Sequence, residues 1–91
     1  MQDIPPEQSL IEYPSQFPIK VIGLNVDGFR EAVISIASQF DPALSPSGIE
    51  TRPSSAHKYL SITVTITATS REQLDELYRT LSTHPLVKMA L

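Results

Sequence analysis

A chain of 91 residues makes one domain, able to bury roughly 60–65% of its unfolded surface and so to hold one modest core; with no cysteine, disulfides and thiolate metal sites are excluded and a reducing compartment fits. Seven Lys and Arg against ten Asp and Glu give a formal charge of -3 and a pI near 5.2, which argues against a partner held mainly by phosphate neutralisation, so nucleic acid is not expected. The amino terminus has no basic region followed by an apolar run, and eighteen apolar residues nowhere come together; a soluble, cytoplasmic protein with no membrane partner is expected.

Residues 1 to about 16 carry Pro5, Pro6 and Pro14 and no sustained periodicity. They read as a flexible or extended lead-in to a domain of residues 17–91, with Leu10, Ile11 and Tyr13 available to dock on its surface. From Phe17 to Leu24 the alternation predicts a first strand, with Phe17, Ile19 and Val21 on one face and Lys20 and Ile22 on the other. Pro18 is tolerable near its start, and Gly23 suits a bulge or a close backbone approach. Residues 29–40 then repeat Phe29, Ala32, Val33, Ile36, Ala37 and Phe40 at helical spacing, with Asn25 or Asp27 as the expected cap. Pro42, Pro46 and Gly48 cannot continue that helix.

A short strand over Ile49–Ser55 contains Pro53, which removes a ladder donor and so belongs on a sheet edge. From His57 to Ser70 the side chains alternate with strict period two: Leu60, Ile62, Val64, Ile66 and Ala68 on one face, Tyr59, Ser61, Thr63, Thr65 and Thr67 on the other. This is the expected central strand, packed on its aliphatic face and partly wet on its hydroxyl face. Ser70 with Gln73 forms a capping box for a second helix striped by Leu74, Leu77, Tyr78 and Leu81, which ends at His84 and Pro85. Residues 86–91 close the chain as a strand with Val87, Met89 and Leu91 on one face.

The order strand, helix, strand, strand, helix, strand predicts an α+β, ferredoxin-like two-layer sandwich. Two right-handed split crossovers put both helices on one face of an antiparallel sheet of order 4-1-3-2. The third strand is then central and the second an edge, in accord with the alternation at 57–70 and with Pro53. Thr63 and Thr65 should point away from the helices, since a one-residue slip would exchange the faces.

That fold hosts enzymes, RNA readers and regulatory modules, so residues must decide among them. The stretch VIGLNVDGFR is similar to the loop of the acylphosphatase family, VxGxVQGVxFR, but the phosphate-binding arginine of that pattern is Leu24 here, and leucine offers no charged donor fork. Arg30, at the pattern's last position, reads as a solvated helix charge. An RNA reader would need aromatics on the open face of its central strands, where this chain has Tyr59 and then hydroxyls. His57 and His84 are too few and too far apart for a metal pair, and Glu72, Asp75 and Glu76 complement a helix dipole. No catalytic residue, metal ligand or cofactor is expected. Arg52, Lys58 and Lys20 could form a basic patch, but scattered solubilising charge is the expectation.

YPSQFPIKVIG, RPSSAHKYLSITVTITATS and LYRTLSTHPLVKMAL together resemble the YbeD-like family of small bacterial proteins of unknown function. The resemblance spans about residues 12–91 and is most specific at PSS, the Thr-rich strand and LYxxL. It implies a ferredoxin-like fold similar to ACT-type regulatory domains, a proposed link to the regulation of lipoate metabolism, and no established catalytic residue. The expected function is a non-enzymatic regulatory or adaptor domain that binds a small ligand or partner protein, with a homodimer as a further expectation; the alternative is a small acylphosphatase-like hydrolase. The expected binding residues are Arg52, Ser54, Ser55, His57 and Lys58, on the second strand and its turn. Edge protection and a tight turn would account for the same residues without any ligand.

Overall fold

The period-two run forms β3, Tyr59–Ala68. Against one of its edges lies β1, Ser15–Leu24, antiparallel from Ser15 opposite Ala68 to Leu24 opposite Tyr59; against the other lies β2, Ile49–Pro53. β4, Val87–Ala90, pairs with the outer edge of β1, giving the order β2-β3-β1-β4. This is the expected 4-1-3-2 sheet read from its other end. Two helices, α1 (Phe29–Phe40) and α2 (Arg71–Thr83), cover one face. The structure, a computed structural model, describes residues 12–91, so the expected docking of Leu10 and Ile11 lies outside the described residues.

The faces divide as the alternation requires. Leu60, Ile62, Val64, Ile66 and Ala68 of β3 and Ile19 and Val21 of β1 are buried with Phe29, Val33, Ile36 and Ala37 of α1 and Leu74, Leu77 and Leu81 of α2. Thr63 and Thr65 are on the helix-free face. Phe17, Phe40 and Tyr78 pack at the margin of this core.

Register also explains both strand prolines. Lys20 exchanges amide bonds of 3.1 and 2.8 Å with Leu91, so even-numbered residues of β1 direct their main chain to the β4 side. Pro18 therefore lacks its donor on the side where β4 no longer runs. In β2, the Ser54 amide donates to the Tyr59 carbonyl across 2.9 Å, which sets even-numbered residues toward β3 and leaves the missing donor of Pro53 at the outer edge.

Several local expectations are revised. β1 begins at Ser15 rather than Phe17 because Ser15 and Gln16 pair with Ala68 and Thr67, and Gln16 Nε2 donates to Thr67 Oγ1. α1 has neither Asn25 nor Asp27 as its cap. The cap position is Gly28 at φ 90°, without a side-chain acceptor, because the chain must swing out of β1 through a left-handed residue. β2 ends at Pro53 rather than Ser55, and the central strand runs over 59–68 rather than 57–70. In β4 a register shift between Ile22 and Gly23 sets Ala90 beside Val21 toward the core and turns Met89 outward beside Ile22. Met89 therefore does not share a face with Val87. Gly23 sits at that irregularity, and a Cβ there would collide with the Leu86 carbonyl and lie 2.6 Å from the buried Phe29 ring.

The capping box forms with one change of partner. Ser70 Oγ accepts the Gln73 amide at 3.0 Å, while Gln73 Oε1 accepts the Thr69 amide, one residue earlier than a capping box needs. Gln73 Nε2 also donates to the Phe40 carbonyl, tying the start of α2 to the end of α1. Ser70→Ala should lower the urea midpoint by a loss of about 0.5–2 kcal/mol at unchanged slope. Gly23→Ala should destabilise by about 1–3 kcal/mol through overpacking against a ring that cannot withdraw, read from the same unfolding curves.

Candidate functional site

The expected binding stretch forms the β2–β3 hairpin. The His57 amide donates to the Ser54 carbonyl at 2.9 Å, and His57 takes φ 59°, an uncommon conformation for a residue with a side chain. Two bonds from the loop before α1 hold it: Asn25 Nδ2 donates to the His57 carbonyl at 3.1 Å, and the Asn25 amide donates to the Lys58 carbonyl at 2.9 Å. Asn25 is thus a strut for the hairpin rather than a helix cap. Ser54 Oγ accepts the Tyr59 amide at 3.1 Å, so this hydroxyl serves the turn.

The five expected residues therefore divide. Ser54 is engaged in the hairpin backbone, and His57 occupies its left-handed corner. Ser55 is exposed at the tip. Arg52 is opposite Ser61 and so projects from the helix-free face, where it meets Glu50 at 3.0 Å; such an exposed pair is weak and screened by salt. Lys58 places its ammonium 5.6 Å from the centroid of the Tyr59 ring, a cation–π distance that brings it to the same face. Lys20, opposite Thr63, joins them. Arg52 and Lys20 line one depression of about 280 Å³ with Ile22, Pro53 and Tyr59. Lys20 and Arg52 thus come together, with Lys58 beside Tyr59 on the same face, where scattered charge was expected.

Beside these cations the open face is apolar. Leu24 is opposite Tyr59, Met89 opposite Ile22, and Leu91 bonded to Lys20. Directly opposed residues share a face, so Leu24, Tyr59, Ile22, Met89 and Leu91 form one corner across three strands. Leu24 and Tyr59 are 37% and 39% exposed, Met89 50% and Leu91 59%. Ile22 was legible on the outer face, but the hydroxyl row alone suggested a polar sheet. The corner depends on the β4 irregularity, for which the sequence offers only Gly23 as a signal.

At the opposite end of the sheet, Asp41 is the one buried charged residue among those described. Its Oδ2 accepts the Thr67 amide at 2.8 Å and its Oδ1 the Ala43 amide at 3.1 Å. A cavity of about 270 Å³ beside it is lined by hydroxyls of Ser45, Ser47, Thr65 and Thr67. Both carboxylate oxygens already hold backbone donors, so this is a structural clasp on the end of β3. No group of three or more metal-binding side chains occurs among the described residues, and no described helix is long and apolar enough to cross a membrane.

Known proteins bear directly on this chain. Residues 8–91 match the family described as protein of unknown function DUF493. A UPF0250 protein of Leptothrix cholodnii is 65% identical, and one of Bordetella parapertussis 53% identical, each alignment covering all of both chains. A UPF0250 protein of Nitrosomonas europaea is 49% identical over 93% of this chain and 98% of its own. The solution structure of HP0495 from H. pylori superposes with a TM-score of 0.75 over 100% of this chain and 98% of that one, at 16% identity, a likeness of fold. A family match across residues 8–91 and relatives this similar from end to end make the chain a member of the DUF493 family, the YbeD-like UPF0250 proteins of unknown function.

Proposed function

We propose that this domain is a non-enzymatic regulatory or adaptor module of the cytoplasm, which binds its partner through the β2–β3 hairpin and the adjoining corner of the open sheet face. The observation that carries the reading is the contiguity of exposed Leu24, Tyr59 and Met89 with Lys20, Arg52 and Lys58. Apolar side chains grouped beside cations on a rigid sheet form a recognition surface, whereas scattered ones need no explanation. The names of the relatives carry no enzymatic activity.

The acylphosphatase-like alternative lacks its chemistry. Leu24 stands at the position that would need a phosphate-binding arginine, and Arg30 Nε donates instead to Thr51 Oγ1 at 3.2 Å, on the helix side of the sheet. The purified protein should not turn over acyl phosphates above background. A substantial rate abolished by Arg30→Ala would restore the hydrolase.

Arg52→Ala combined with Lys58→Ala removes two cations without touching core or caps, and should change stability by no more than about 0.5 kcal/mol. In affinity capture from the native host, the double variant should lose most specific partners of the parent while unfolding at the parent's urea midpoint. Full retention of every partner would leave the hairpin as edge protection.

A further inference from the structure

Charge is partitioned between the two layers. Among the described residues, Glu31, Glu72, Asp75 and Glu76 lie exposed on the helices, where Arg30, Arg71 and Arg79 only partly offset them. On the open sheet face, strand register places one acidic side chain, Glu50, and Arg52 already holds it at 3.0 Å. Beyond that pair Lys20 and Lys58 leave the face with an excess of two positive charges, although the chain as a whole carries a formal charge of -3. The positive charge lies on the same surface as the exposed apolar corner.

We propose that this face docks a protein segment that is apolar along its centre and acidic along its margins. The inference rests on the binding-module reading and supplies the chemistry of the partner. The depression between Lys20 and Arg52, about 280 Å³ and floored by Ile22 and Tyr59, holds one or two side chains. The apolar surface continues past it over Met89 on β4 and Leu91 just beyond that strand. Three neighbouring strands span roughly 10 Å, about the width of a helix with its side chains, so the contact is on the scale of a polypeptide segment rather than a small molecule. Carboxylates flanking such a segment meet Lys20 and Arg52 on one side of the apolar stripe and Lys58 near Tyr59. An isologous pair of copies of this chain would bring two faces of net positive charge together, and like charges across an interface oppose association. The favoured occupant is therefore a different chain.

The test uses the full chain and three synthetic helical peptides of about five turns, followed by fluorescence anisotropy. One carries a Leu stripe flanked by Glu, one the same stripe flanked by Lys, and one an Ala stripe flanked by Glu. The Leu/Glu peptide should bind at least tenfold more tightly than either of the others. Met89→Ser with Leu24→Ser should abolish that preference over the Ala peptide. Lys20→Glu with Arg52→Glu and Lys58→Glu should reverse the preference to the Leu/Lys peptide, a reversal that loss of structure cannot produce. Equal binding of the Glu- and Lys-flanked peptides overturns the inference, as does a sedimenting dimer that Met89→Ser dissociates, which would give the face to a second copy. If the peptides fail while the Arg52/Lys58 double variant still loses its captured partners, only the acidic chemistry is refuted. If the double variant also keeps them, the binding-module reading falls with it.

Discussion

The pairing of β1 with β3 is the constraint on which the rest of the structure depends. Ten consecutive residues of each strand oppose one another without a break, and the side chains of both alternate in phase. A shift of one residue would expose Ile62, Val64 and Ile66 and bury Thr63 and Thr65. Burying a hydroxyl without a partner costs about 1–3 kcal/mol, and exposing an aliphatic side chain forfeits roughly 1.5–3 kcal/mol more. A slip across these positions costs as much as the whole stability of an ordinary domain, about 5–15 kcal/mol. The helices need only an apolar stripe to settle on a face already determined.

What closes the two layers at one end is polar. β3 extends past β2, leaving the Thr67 amide without a neighbouring strand, and Asp41 at the end of α1 supplies its acceptor at 2.8 Å. Gln73 at the start of α2 reaches the Phe40 carbonyl and the Thr67 carbonyl. The two helix ends and the strand end are thus joined through side chains that satisfy main-chain groups which would otherwise face a sheet margin unpaired. Among the described residues, no buried side-chain nitrogen or oxygen is left without a partner.

Fold and site were unequally legible in the sequence for a physical reason. The alternation at Leu60–Ala68, the helical spacing at Phe29–Ala37, the Ser70 cap and the prolines each act within one element, and each is found where local chemistry put it. Asn25 was misread because its amide and side chain act on His57 and Lys58, more than thirty residues away. Asp41 went unnoticed for the same cause, its main partner being Thr67. The apolar corner was hidden most deeply, since Ile22, Leu24, Tyr59 and Met89 come from three strands and converge only through register and a bulge. The stretch Arg52–Lys58 is a hairpin whose Ser54 and His57 serve the turn, while its two cations share a face with Lys20.

Both margins of the sheet are blunted. Pro18 and Pro53 withhold donors at outward positions, β2 and β4 are only five and four residues long, and Asp41 occupies the exposed end of β3. Strands of another molecule therefore find few main-chain groups on which to continue the ladder. Growth by edge pairing is open-ended, because each added strand presents a new edge, while contact through one face consumes the surface that made it. The prolines and the short outer strands thus disfavour open-ended growth at either margin of the sheet.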